Sequence, residues 1–365
     1  MIPRPTTPHL LQPADNPSHA TNYDSANPAG VRSSPANSWA ANGDRPWLVA
    51  MAAVTLVELL WWAVAWTLGI APLPLIGTYL CLSCGGLVSA ALVRRVLGFR
   101  PSAAPWPAVL IGTLLVGFGA SAFLPLKYAI PREIPFWLDR PLAVIERSAL
   151  GADPWLLLDR LLGWATVPMD WLYGCWLPVQ MLVLFSLILA KPSPTKSRAL
   201  VAYVLAWFLL GAVAAMFLSS AGPLFYDRVY GGGMFATLGA TLRARGAWIA
   251  IGESNRMWSA MAGKDPGLIA GISAVPSIHV AISLWIYLTA RDLMPRAIVP
   301  ALLYFVSVWI GSVQLGWHYA SDGLVGSIGM LGVWQATKWL GPPDREHMKA
   351  PLARCLQNNR RCPEG

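Results

Sequence analysis

The sequence predicts an all-α, polytopic membrane helix bundle, and three observations carry that prediction. Of its 365 residues, 55% are hydrophobic and only 12% charged, about half the roughly 25% charged content of a soluble domain. The apolar residues gather in runs near the length of ~20 that carries a helix across the hydrocarbon core. Nineteen tryptophans suit the aromatic belts at the two membrane–water interfaces. The net charge of +9 sits largely in short loops between the runs, so it reads as a topology signal and calls for no nucleic-acid partner.

Residues 1–46 are rich in Pro, Asn, Ser and Ala and lack apolar periodicity, which predicts a disordered tail. No basic start leads into an apolar core there, so it is not a signal peptide. Runs at 47–70 and 73–93 form two accessory helices within 47–105. The first carries Glu58, an intramembrane carboxylate open to a functional or a structural role. A third run, 106–126, opens the main membrane domain, 106–340. The mixed stretch 127–170 has apolar pieces too short for a span and broken by charge, and it predicts one or two amphipathic helices at the interface. Further runs follow at 171–190 and 199–219, then a second polar connection, 220–267, with Gly231 to Gly233 and Arg228, Arg243, Arg245 and Arg256. Runs at 268–290, 297–317 and 321–340 and a basic tail, 341–365, complete the chain.

Eight spans with both termini cytosolic put Arg94, Arg95, Arg100, Lys191, Lys196, Arg198, Arg291, Arg296 and the basic tail on one face, as the positive-inside rule asks. The loops 127–170 and 220–267 then lie on the outer face. Cys81 and Cys84 make a C-x-x-C inside an apolar run with no second pair, and Cys355 and Cys362 fall in the tail. Neither zinc nor a disulfide framework is implied. No internal repeat of the kind that builds many transporters is visible.

Only two histidines lie in the apolar body, His279 and His318. His318 and Asp322 are spaced i,i+4, so on a helix they share a face. The carboxylate can then accept the Nδ1 proton and leave Nε2 as a directed lone pair. A helical hairpin through the last spans brings His279 to the same side. Buried histidines are commonly satisfied core residues, but polar groups inside a membrane are expensive and tend to be functional. Two histidines and a carboxylate could also hold iron or zinc. Ser277 at a helix start offers its hydroxyl and nearby N–H groups to a phosphate, and Arg228, Arg256, Lys127 and Arg140 are candidate phosphate cations. Nucleophile, acid and cations are the parts that phosphoryl transfer needs.

Pro276-Ser277-Ile278-His279 and His318-Tyr319-Ala320-Ser321-Asp322 resemble the later motifs of the type 2 phosphatidic acid phosphatase superfamily, Pro-Ser-x-His and His-x-x-x-Asp, over about residues 120–340. The resemblance implies a six-helix catalytic core behind the two extra N-terminal helices, with no metal or cofactor. By it His318 attacks phosphorus to give a phosphohistidine, Asp322 orients it, and His279 protonates the departing oxygen. Two departures stand out. Gly311-Ser312 occupies the place of the superfamily's Ser-Arg, and Lys127 lies too far from Arg140-Pro141 for its first motif. With Ser220-Ala221-Gly222-Pro223, Phe225-Tyr226 and His318-Tyr319, both departures make the chain similar to the inositol phosphorylceramide synthase branch. The implied substrate is a lipid phosphate or a phospholipid, with water or an alcohol as acceptor. Two other readings stay open on the residues alone: a non-enzymatic carrier using the His/Asp cluster as a proton relay, and a metal-dependent membrane enzyme.

Overall fold

The computed structural model describes residues 43–262 and 271–340, and among them every regular element is a helix. The tails beyond those limits, with Cys355 and Cys362, lie outside the described residues. Helices α1 (Arg45–Thr67), α2 (Ile76–Val96) and α3 (Trp106–Glu133) form an N-terminal group in which α3 packs against both α1 and α2. Next come two short amphipathic helices, α4 (Asp139–Leu150) and α5 (Pro154–Leu162), then α6 (Thr166–Gly174) and α7 (Trp176–Ile188). Helix α8 (Pro194–Ala206) continues through a π-helical stretch, Trp207–Ala214, to Phe217. Three further helices, α9 (Pro223–Tyr230), α10 (Leu238–Ala244) and α11 (Trp248–Met261), precede the last group, α12 (Ile278–Leu293), α13 (Ile298–Gln314) and α14 (Ala320–Ala336).

Helix α12 is the centre of the bundle. Its residues from Val280 to Ile286 are all buried, and it packs on α7, α8, α13 and α14. A helix apolar on every side belongs in such a position. By contrast α1 and α2 turn Leu56, Leu60, Val64, Leu82, Val88 and Leu92 outward. In a membrane those side chains face lipid, and the burial that would be missing in water is supplied by the bilayer.

Among the described residues, five helices are long and apolar enough to span, or six when α5–α6 and α7 are taken as one span bent by 41° at Cys175. This differs from eight hydropathy runs for a physical reason. Helices α12 and α14 have 16 and 17 residues, about 24–26 Å of helix against a ~30 Å core. In the run at 268–290, of which residues 271–290 are described, the helix begins at Ile278, after the Pro276-Ser277 turn. Helix α3 conversely extends past the end of its run to Glu133, so Lys127 is a helix residue and not part of a loop. The connection 220–267 is largely helical, because α9 to α11 each bury one side against the bundle.

The two ends of the bundle differ in chemistry. At one end Arg94 donates to Ser186 O at 3.2 Å, Lys196 pairs with Asp44 at 2.7 Å, and Arg198 reaches Asp292 at 3.5 Å. The histidines, α4, α5 and α9 to α11 gather at the other end, since α12 runs from His279 to Arg291 between them.

Candidate active site

The site is built from two helix starts held against each other. Ser277 caps α12, with its hydroxyl accepting from Val280 N at 3.4 Å and its own N–H donating to Asp322 O at 3.1 Å. Its carbonyl lies so near Gly326 that a Cβ there would meet it at 2.4 Å. Only glycine allows the second turn of α14 to close on the α12 cap. The sequence therefore places His279 in the first turn of α12 and beside α14.

His318 lies just ahead of α14, whose first residue is Ala320, so the His–Asp pair forms across a helix start and not along a helix face. Asp322 is fully buried. It turns back over the N-terminus, and its Oδ2 accepts the Tyr319 N–H at 2.9 Å while standing 3.3 Å from His318 Nδ1. A carboxylate in the first turn is favoured there by the helix dipole. The same geometry fixes the His318 tautomer, with Nδ1 protonated toward Asp322 and Nε2 as the lone pair.

His279 faces His318, with ring centroids 5.8 Å apart and planes at 59°. Tyr173 stacks on His279 at 4.8 Å, Trp176 lies 4.1 Å from it, and the Trp176 indole donates to His279 O at 3.0 Å. The ring is thus held by aromatic packing, and its Nδ1 makes no hydrogen bond to protein. Among the described residues, no three His, Cys, Asp or Glu side chains are grouped to hold a metal.

The proposed cations separate clearly. Lys127 donates to Gly211 O, in the π-helical stretch of α8, at 3.1 Å, and the backbone at Gly271 approaches its side chain so closely that a Cβ there would meet it at 2.6 Å. π-Helical turns often mark functional sites. Arg140 is exposed over the Tyr230 ring at 4.9 Å. Arg228 is exposed, bonded to Asn255 at 2.7 Å and set over Trp258 at 5.7 Å. Partial burial, and then the charge of Arg243, lower its pKa from the ordinary arginine value. Arg256 pairs with Glu253. Of the four cations, Lys127 is the one carried on a candidate membrane-spanning helix, α3.

The Ser220-Ala221-Gly222-Pro223 loop is at the site. Gly222 has φ +89°, and a Cβ on it would meet Trp317 O at 2.4 Å, so both its conformation and its close approach require glycine. Leu224 N donates to Gly316 O at 2.8 Å and Ala274 N to Ser220 O at 2.7 Å, which joins the loop to the segments preceding both histidines.

Three carboxylates that sequence reasoning did not single out organise this region. Asp139 is fully buried and accepts from Ser220 Oγ at 2.9 Å, Ala221 N at 2.8 Å, Gly222 N at 2.8 Å and Tyr319 OH at 3.2 Å. Glu146 accepts from Ala320 N at 3.1 Å, Ser321 N at 2.7 Å and Ser321 Oγ at 2.6 Å. Asp170 receives Ile249 N at 2.8 Å and Ala250 N at 2.9 Å, at the start of α11. Each serves orphan amides that a helix start or turn exposes. For Asp139 and Glu146 the sequence carries one signal, an acid at positions i and i+7 of one amphipathic helix.

Fold and site define a polytopic helical membrane protein in which a His–Asp pair faces a second histidine. Residues 141–336, more than half of the chain, match the family model of the PAP2 superfamily. The chain belongs to that superfamily, whose members are phosphoesterases. Searches for similar curated proteins and for similar solved structures found no match.

Proposed function

We propose that the protein is a lipid phosphatase or phosphotransferase acting through a phosphohistidine on His318. The observation that carries this reading is the His318–Asp322 pair at 3.3 Å facing His279 at 5.8 Å between centroids. In the first step the His318 Nε2 lone pair attacks phosphorus, the N–P bond forms, and the bond to the leaving oxygen breaks. Protonated His279 gives that oxygen its proton. In the second step water or an alcohol gives its proton to His279 as its oxygen attacks phosphorus, and the N–P bond breaks. Asp322 supports the imidazolium character that develops on His318.

In this reading Ser277 and Lys127 serve the equatorial phosphate oxygens, one as a hydroxyl at a helix start and the other as a cation. Arg140, Arg228 and Arg256 act further out, at the level of head groups. The basic end of the bundle is the cytosolic one under the positive-inside rule, so the site opens to the outer face. Head-group transfer, as in the inositol phosphorylceramide synthase branch, is supported by the Ser220–Pro223 loop at the site and by the missing Ser-Arg.

The test is a panel of lipid phosphates in detergent with EDTA, run with water alone and with ceramide or diacylglycerol as acceptor. Phosphate release that disappears in His318→Ala supports the hydrolase, and an acceptor-linked product with little free phosphate supports the transferase. Wild-type turnover in His318→Ala, or no turnover of any lipid phosphate, overturns the mechanism.

A further inference from the structure

The three residues between His318 and Asp322 are held one by one from helix α4. Asp139 takes the Tyr319 hydroxyl at 3.2 Å. Glu146 takes the Ala320 and Ser321 amides at 3.1 and 2.7 Å and the Ser321 hydroxyl at 2.6 Å. The two acids are seven residues apart, so they project from one side of α4. Both are buried, and Asp139 has no exposure at all. Asp139 also holds Ala221 N and Gly222 N at 2.8 Å, and Gly222 packs on the carbonyl of Trp317, the residue before His318.

Hydrogen-bond direction makes this arrangement specific to carboxylates. Ser220 Oγ, Ala221 N, Gly222 N and Tyr319 OH all present protons to Asp139, while the nearby Tyr230 hydroxyl can direct its own to Phe136 O. An ionised carboxylate only accepts, whereas an amide of the same shape turns two donors toward one side. Glu146 likewise meets three donors. It also fills the N-terminus of α14 that would otherwise be an anion site, so the substrate phosphate is left to the α12 start across the two histidines.

We infer that Asp139 and Glu146 are positioning residues for the nucleophile, and that α4 is a brace setting His318 against Asp322 and His279. The inference rests on the reading of His318 as nucleophile. Neither acid touches the reacting atoms in this arrangement, and each acts through the backbone of residues 319–321.

The experiment compares Asp139→Asn and Glu146→Gln with the wild type on the lipid phosphate that the wild type turns over fastest. A positioning role lowers kcat roughly 10²-fold, with KM changed by less than about twofold because ground-state binding is untouched. The double variant falls well short of the product of the single effects, since both act on one segment. Tyr319→Phe and Ser321→Ala remove the partner hydroxyls without altering a buried charge, and they show the same kcat-only loss at smaller size. They decide the matter if an acid variant fails to fold.

A second readout needs no turnover. The Nδ1 proton of His318 gives an imidazole NMR resonance, assigned by its absence in His318→Ala, and the brace variants shift or broaden it. Failure of the function shows as a wild type without turnover while this resonance still responds. Wild-type kcat with an unmoved resonance in the folded variants, or a loss confined to KM, overturns the brace.

Discussion

Each end of the bundle buries a charged cluster, and the two clusters are finished differently. At the basic end Lys196, 1% exposed, directs its three N–H groups to Asp44 at 2.7 Å, Ile188 O at 3.0 Å and Ala190 O at 2.9 Å, with the Trp47 ring 5.5 Å away. Every donor on the cation is used, although Asp44 Oδ2 is buried without a hydrogen bond. At the other end His279 Nδ1 and Asp322 Oδ1 are buried without a hydrogen bond to protein, even though Asp139 and Glu146 close by are saturated. A cluster that satisfies its own cation holds helices together, here α1 to the turn between α7 and α8. A cluster that supports its neighbours fully and leaves its central groups open is prepared for a substrate.

That contrast breaks down most visibly if the outer cluster proves to be structural. His318→Ala should lower turnover by roughly 10⁴-fold or more, and Asp322→Asn by a comparable factor through the wrong tautomer, while detergent-extracted yield and melting temperature stay near wild type. A melting temperature that collapses with activity would put the cluster in the same class as Lys196.

Lys196→Met is the mirror experiment. It leaves Asp44 buried without its cation and should destabilise the fold by about 3–5 kcal/mol, read as a lower unfolding midpoint. Turnover per folded molecule should remain unchanged.

Lys127→Met tests whether one cation outside the histidine motifs belongs with the site. A loss of roughly 10²-fold in kcat/KM is expected if it holds phosphate, as for the loss of one electrostatic donor. A stability loss with full specific activity would make its bond to Gly211 O a helix-packing device. The smallest effect is expected for Arg140→Ala and Arg228→Ala, under about threefold each, as exposed cations with aromatic partners contribute little. A larger fall in either would move the phosphate site outward along α9 or α4.

Much of the architecture could be read from composition and run length because a bilayer demands apolar helices. The same rule overran at α12, where the polar Pro276-Ser277 turn inside an apolar run delays the helix to Ile278. Histidine and aspartate at motif spacing pointed to residues that the fold does bring together, since few other groups carry that chemistry within a membrane. Asp139, Glu146 and Asp170 were not legible. An acid on an amphipathic helix looks the same whether it faces water or the amides of a helix start distant in sequence.

What the chain determined by itself was therefore its membrane class, its amphipathic first connection and the two histidines and the aspartate of the candidate site. Hydropathy and side-chain chemistry are local properties and survive without the fold. Only the tertiary structure decided which residues surround His279, why Gly222 and Gly326 must be glycine, and which carboxylates brace residues 319–321. Those depend on close approach between segments up to 180 residues apart, where hydrogen-bond direction and van der Waals contact, and no sequence pattern, select the partner.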